Sequence, residues 1–335
     1  MSKLNNETVL RTLGWKSSFA DLRGAHLAEP NRSLHRVTEV QRTGLIVAPL
    51  LEDGRNDVPV GGKWFQRPER ERPTVGDWVI LDSTDGRLVE LLPRTSLLTR
   101  LSPAGNGTVQ LIAANVDTAF VVTSCNADFN VPRLERYVSV ILEANIEPVI
   151  VLTKIDQALD PETYQTELHA AFPTITICAV NALNSQSVAA LYPWCAEGQT
   201  IALLGSSGVG KSTIVNTLMG GEVQRTQAIR EEDGKGRHTT TYRSAHLLPQ
   251  GAVILDSPGM REFQMADAEA GVAELFDDIE ALAQACRFRD CAHNAEPGCA
   301  VQAAIARGQL DPRRLASYHK LRGQQRQHRS HLWRT

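Results

Sequence analysis

The residues with the clearest chemical content stand at 205–213: Gly205, Ser206, Ser207, Gly208, Val209, Gly210, Lys211, Ser212 and Thr213. Their spacing is G-x-x-x-x-G-K-[ST], the pattern of a loop that cradles phosphate. Its glycines permit left-handed backbone and close approach to an anion. Successive N–H groups then converge at the positive end of the helix that follows. Lys211 would reach the β- and γ-phosphates, and Ser212 would ligate Mg²⁺. A plain glycine turn requires neither this spacing nor the Lys-Ser pair behind it. The loop implies a nucleoside triphosphate and leaves the base open.

The base is addressed by Thr153, Lys154, Ile155 and Asp156, directly after the apolar run 148–152. Asp156 would accept bonds from guanine N1–H and the exocyclic amine. Adenine offers no donors there, so the carboxylate would be left unpaired, and that penalty discriminates. Lys154 would lay its stem over the purine ring. Thr153 stands where such loops more often carry Asn, and its hydroxyl keeps a loop tether available. An isolated T-K-x-D is more often a capped helix start; its place behind a buried strand favours the base-reading interpretation.

Two further segments complete a hydrolytic constellation. Asp256, Ser257, Pro258 and Gly259 close the apolar run 252–255. Asp256 would hold Mg²⁺ through water, and the Gly259 N–H would bond the γ-phosphate and release on hydrolysis. Gly236, Arg237, His238, Thr239, Thr240 and Thr241 precede it in a polar stretch. One threonine there would reach Mg²⁺ and the γ-phosphate, and Thr240 is the choice. Met260 stands where many GTPases place a water-orienting glutamine. His238 is therefore the candidate to position water, against the plainer alternative of a solvated loop histidine. The base-reading segment precedes the phosphate loop in the chain, the reverse of the usual GTPase order. That is a circular permutation, which a compact domain with neighbouring termini tolerates.

Cys286, Cys291, His293 and Cys299 form a separate group. Three thiolates and one imidazole close a tetrahedral shell, which indicates structural zinc. A disulfide with a spare thiol, or plain buried cysteines, are the competing readings. Cys125, Cys178 and Cys195 fall in apolar segments and read as core.

These residues need elements to position them. At 335 residues, 42% apolar and net charge −3, the chain is long enough for two or three soluble domains. Residues 1–38 read as a helical leader, with Leu4, Val9, Leu10, Leu13 and Trp15 on one face and Gly14 as a stop. Residues 39–103 show short strands and glycine turns, a β-barrel of OB type. Residues 104–266 alternate strands (114–122, 148–152, 174–180, 201–204, 252–255) with helices, one of them capped by Asn130, giving an α/β doubly wound sheet. Residues 225–238 read as a loop. Residues 267–335 are helical, carry the Cys/His group, and end in a basic tail without a single acid from Arg313 onward. Such a tail is a solvated helix or a phosphate-binding surface. No apolar run reaches membrane-spanning length, and the first residues lack a secretory apolar core, so a cytoplasmic location is expected. No apolar face is left over, so a monomer is expected.

Taken together, Thr153–Asp156, then 205–213, then GRHTTT at 236–241, then 256–259, then the Cys/His group resemble the circularly permuted, small-subunit-dependent GTPases known as RsgA or YjeQ. Ala114-Asn115-Val116-Asp117 and the 132–137 stretch also look like that family's. The resemblance implies an OB-fold β-barrel, a circularly permuted P-loop GTPase domain and a C-terminal α-helical zinc-binding domain. It further implies docking on the small (30S) ribosomal subunit and its rRNA, GTP hydrolysis to GDP stimulated by that subunit, and a hydrolytic role for His238. Two alternatives remain: a P-loop metabolic enzyme, and a zinc and OB RNA-binding protein whose nucleotide is structural.

Overall fold

The computed structural model describes residues 3–16, 29–41, 43–48, 56–101, 109–221, 243–256 and 268–332. Helix α1 (Lys3–Thr12) stops just before Gly14, which takes φ +89°. Its Leu10 and the following Trp15 are buried with Leu34, Trp78, Ile80 and Leu92. Strands β1 (Arg32–Val40), β2 (Gly44–Ala48) and β3 (Asp57–Pro59), a short helix α2 (Gly62–Phe65), and strands β4 (Trp78–Asp82) and β5 (Leu88–Leu91) follow. They pair antiparallel in the order β3-β2-β1-β4-β5, an OB-like half-barrel. The period of two explains the unbroken apolar run in β4. Trp78 and Ile80 face α1, while Val79 and Leu81 face the interior beside Val37, Leu45 and Val47. β1 begins at Arg32, earlier than the apolar stretch 37–40 suggests, because His35 and Arg36 are buried polar residues inside the strand.

A hairpin of β6 (Leu97–Leu101) and β7 (Val109–Ala114) leads to β8 (Thr118–Ser124). The single strand expected at 114–122 is thus divided. Asn115 takes φ +54°, its Oδ1 accepts from the Thr95 N–H at 3.0 Å, and its Nδ2 donates to the Gly76 carbonyl at 3.0 Å. Apolar residues on both sides of Asn115 hide this turn from a hydropathy reading.

The α/β part then runs α3 (Val131–Glu143), β9 (Glu147–Thr153), α4 (Pro161–Ala171), β10 (Thr176–Ala179), α5 (Ser185–Val188), β11 (Thr200–Leu204), α6 (Lys211–Met219), β12 (Arg243–Leu247) and β13 (Val253–Asp256). As expected, Asn130 caps α3 by accepting from the Arg133 N–H at 2.9 Å. The sheet order is β10-β9-β8-β11-β13-β12, parallel except for β12. Both faces are covered, so β8, β9 and β11 are buried along nearly their whole length. One edge of β1 is shared: β4 pairs with its first half, and β12 with Glu39 and Val40, so the OB-like sheet and the α/β sheet are continuous.

Four helices close the chain: α7 (Glu269–Leu275), α8 (Asp277–Ala283), α9 (Ala300–Ala306) and α10 (Pro312–Leu332). α7 lies directly on α3. A Cβ at Gly271 would overlap the Ser139 carbonyl oxygen, and the Gly271 N–H donates to Glu143 Oε2 at 2.8 Å. Among the described residues, no helix is long and apolar enough to cross a membrane.

Candidate nucleotide site and metal centre

The phosphate loop leaves the buried strand β11 and enters α6. Gly205, Gly208 and Gly210 take φ +143°, +80° and +102°, conformations that L side chains rarely adopt. At Gly205 a Cβ would also collide with the Val122 carbonyl of β8. Val209, buried among Phe120, Val122 and Ile214, anchors the loop to the sheet. Lys211 folds back over the loop and donates from Nζ to the carbonyls of Gly205, at 2.8 Å, and Ser206. A phosphate in the cradle would offer the same ammonium a charged acceptor. Ser212 and Thr213 open α6 and are half-buried.

The base-reading segment begins where β9 ends. Thr153 is fully buried, and its Oγ1 lies 2.5 Å from the Val209 carbonyl and 3.0 Å from the Thr123 carbonyl. The tether expected of this residue is therefore present, and it reaches the phosphate loop itself. Lys154 takes φ +58°, and Gln157 N–H closes the turn onto its carbonyl at 3.0 Å. The turn leaves Asp156 exposed and Ile155 half-buried. Burial, and then the charge of Asp156, push the Cys125 thiol up, which places the carboxylate beside the loop after β8. The loop after β10 meets the same end of the sheet, where Thr217 of α6 donates to the Ala182 carbonyl at 2.6 Å.

Not every expected residue can be placed. His238, Thr240 and the rest of 236–241 lie outside the described residues, as do Gly259 and the loop 225–238. Asp256 ends β13 at the same sheet end, but its side chain also lies outside them.

The four residues of the Cys/His group converge, with all ligand atoms within 4.8 Å of one another. The Cys286 and Cys299 sulfurs are each 3.6 Å from His293 Nδ1 and 3.9 Å apart. A tetrahedron with metal–sulfur bonds of about 2.3 Å has edges of about 3.8 Å, so the group has the dimensions of a bound zinc. Gln302 Nε2 donates to the His293 carbonyl at 2.6 Å, and the Ala300 N–H points at the Cys286 sulfur at 3.3 Å. Such outer contacts orient ligands and favour thiolate. Burial, then the nearby His319, hold His293 below its usual pKa, in the neutral form that binds metal.

The family model described as RsgA GTPase matches residues 91–266. The small ribosomal subunit biogenesis GTPase RsgA 2 of Vibrio vulnificus is 49% identical, over 93% of this chain and 87% of its own. The small ribosomal subunit biogenesis GTPase RsgA of Xylella fastidiosa is 48% identical, over 86% of this chain and 87% of its own. The chain belongs to the RsgA GTPase family. Its fold matches the crystal structure of YjeQ from Thermotoga maritima, with TM-score 0.64, 22% identity, and coverage of 88% of this chain and 98% of that one. It matches YloQ, described as a circularly permuted GTPase, with TM-score 0.62, 22% identity, and coverage of 91% and 98%.

Within the RsgA-type architecture, the structure explains one motif for which hydropathy offers no role. Ala114-Asn115-Val116-Asp117 lies at the opposite end of β11 from the phosphate loop and joins the domains. Asp117 accepts from Lys16 Nζ at 2.5 Å and from the Thr200 N–H at 2.8 Å. Arg36, fully buried, donates to the Leu13 carbonyl, to Gly76 O at 3.3 Å, to Asn115 O at 3.4 Å and to Thr200 Oγ1 at 2.9 Å. Burial pulls this arginine down to about 10, against the nearby charges of Asp117 and Asp77. A second residue missed from sequence is Tyr137, buried on α3, whose hydroxyl lies in the neighbourhood of Ser206 of the phosphate loop. Its helical spacing marks it only as core. A cavity of about 620 Å³ between α3, α4 and α10 involves none of the phosphate-loop residues and is lined by both acids and arginines, among them Glu135, Glu167, Arg313 and Arg314.

Proposed function

We propose that this chain is a cytoplasmic, monomeric GTPase of small ribosomal subunit biogenesis. It binds the small (30S) subunit and its rRNA, and hydrolyses GTP to GDP and phosphate when that subunit stimulates it. The observation that carries the reading is the Thr153 bridge, which joins a phosphate loop to a T-K-x-D loop at one sheet end. A metabolic P-loop enzyme has no need of that base-reading arrangement. The curated relatives at 49% and 48% identity bear the biogenesis names.

In this reading residues 205–213 hold the phosphates through backbone N–H groups, Lys211 neutralises the β,γ-bridging charge, and Thr153–Asp156 hold guanine. Ser212 and Thr240 would hold Mg²⁺, with Asp256 behind it, and Gly259 would contact the γ-phosphate. When bound, Mg²⁺ supplies neutralisation of developing phosphate charge. His238 orients the attacking water. Cys286, Cys291, His293 and Cys299 hold one structural zinc, and the acid-free tail from Arg313 meets rRNA phosphates. The chain divides at residues 38, 103 and 266 into leader, OB-type, GTPase and zinc-binding parts.

The test is GTP hydrolysis by the purified protein with and without small subunits, with ATP as control. Stimulation confined to GTP is expected. Absence of stimulation, or equal use of ATP, would overturn the reading.

A further inference from the structure

The metal-binding loop carries a side chain that neither the metal nor the core uses. Phe288 is 42% exposed, in a chain whose large apolar residues are mostly buried. It is one of four consecutive exposed residues, Arg287, Phe288, Arg289 and Asp290, between the ligands Cys286 and Cys291. A single exposed aromatic is ordinary on a protein surface. Three features distinguish this one.

First, its backbone is held. The Cys291 N–H donates to the Phe288 carbonyl at 3.3 Å, and the Arg287 N–H donates to Gly298 O at 3.1 Å, so the turn is tied to the Cys/His cluster from both sides. Second, a cation already attends the ring, with the Arg287 guanidinium carbon 5.5 Å from its centroid. The stem of Arg287 packs where Gly298 leaves room. Third, the exposed turn 287–290 carries two arginines, Arg287 and Arg289, against the single carboxylate of Asp290. Asp290 is exposed, and the Glu296 carboxylate is occupied by the N–H groups of Ala292, Asn294 and Ala295.

An exposed aromatic ring on a tied backbone turn, flanked by two arginines, is a combination that binds unpaired nucleotides: the ring stacks on a base and the guanidinium groups meet phosphates. We propose that Phe288 is a stacking platform for an unpaired RNA base, with Arg287 and Arg289 contacting the flanking phosphates. The inference deepens the proposed function and rests on that reading for its partner, the RNA of the small subunit. It adds which side chain of the metal domain reads a nucleotide, and by what contact.

The test compares Phe288→Ala, Phe288→Leu and Phe288→Trp in the full-length protein, with metal content checked for each. Binding is measured to purified small subunits by sedimentation and to oligo(A) by fluorescence anisotropy, across a salt series. Loss of one base stack weakens binding about 5- to 100-fold. Phe288→Ala and Phe288→Leu should show that loss with an unchanged salt slope, and Phe288→Trp should bind at least as tightly as the parent. Arg289→Ala should instead lower the salt slope by about one phosphate. Leucine as good as phenylalanine would mean an apolar protein contact and would overturn the proposal, as would unaffected binding by Phe288→Ala. If Phe288→Ala loses metal, the leucine and tryptophan variants decide. If the parent fails to bind subunits but binds oligo(A) through Phe288, the ribosome reading falls while the stacking platform stands. If the parent binds neither, the platform falls too.

Discussion

Replacing Thr153 by valine removes one hydroxyl and almost no volume. That hydroxyl lies 2.5 Å from the Val209 carbonyl and 3.0 Å from the Thr123 carbonyl, with the side chain fully buried. A buried hydrogen bond lost without replacement costs about 1–2 kcal/mol, because the acceptors stay desolvated. The division of that cost is informative. If the two loops held their places without the tether, only global stability would fall. The segment 154–157 has little else to hold it: Asp156 is exposed, Lys154 is in the left-handed region, and one backbone turn closes the loop. Most of the cost should therefore appear in guanine-nucleotide affinity, as a weakening of about 5- to 30-fold. Titration with a fluorescent GDP analogue reads it, beside a denaturant melt of the nucleotide-free protein. Thr153→Asn, which restores a donor, should recover much of the affinity. An unchanged affinity with a destabilised fold would refute the reasoning and make Thr153 a core residue only.

Four further outcomes are expected. Tyr137→Phe should weaken nucleotide binding by about 2- to 10-fold, the range of a single hydrogen bond, and adding Ser206→Ala should cost little more because both remove the same contact. Gly271→Ala forces a methyl into the Ser139 carbonyl and should lower unfolding free energy by about 1–3 kcal/mol, read from the denaturant midpoint. Chelation, or Cys299→Ser, should release the metal and expose the 286–299 loop to protease, while GDP binding by the separate sheet end persists. Burial raises the pKa of Glu135, against the Ser317 hydrogen bond and nearby cations, so folding disfavours its ionised form. Glu135→Gln should thus stabilise the protein at neutral pH, and the advantage should shrink as acid protonates the carboxyl in both states.

The fold class and the spacing of the candidate residues were legible in the sequence. Gly205, Gly208 and Gly210 sit at fixed offsets because positive φ leaves few alternatives, and the metal group is readable because four soft ligands have little reason to cluster otherwise. What stayed hidden depended on contacts between distant residues. Arg36 looks like a surface residue in sequence, yet it is buried because four partners separated by up to 164 positions supply its acceptors. Asn115 breaks an apolar run through its backbone angle, which hydropathy does not register. Tyr137 has the spacing of a core residue and is one, with a hydroxyl whose partner only the tertiary fold reveals. The T-K-x-D turn was legible by position, but the identity of its anchor, the Val209 carbonyl, was not.

The permuted chain order has a mechanical consequence. β13 leads onward to α7, so the strand that ends at Asp256 is followed in the chain by the C-terminal helices. α7 in turn presses on α3 with no side chain between them at Gly271, and it binds Glu143 through its backbone. Such a contact has little compliance, since a displacement of α7 meets main chain and not a rotatable side chain. α3 also carries Tyr137 into the neighbourhood of Ser206, so the helix that α7 leans on lies beside the phosphate loop. The C-terminal helices and the phosphate loop thus have α3 as a common neighbour, with Tyr137 two residues from the Ser139 contact. If a partner on the C-terminal helices shifts α3 and thereby tightens GTP by some factor, GTP must tighten that partner to the same degree. Tyr137→Phe should shrink that factor for both ligands equally, which a local stability defect would not do.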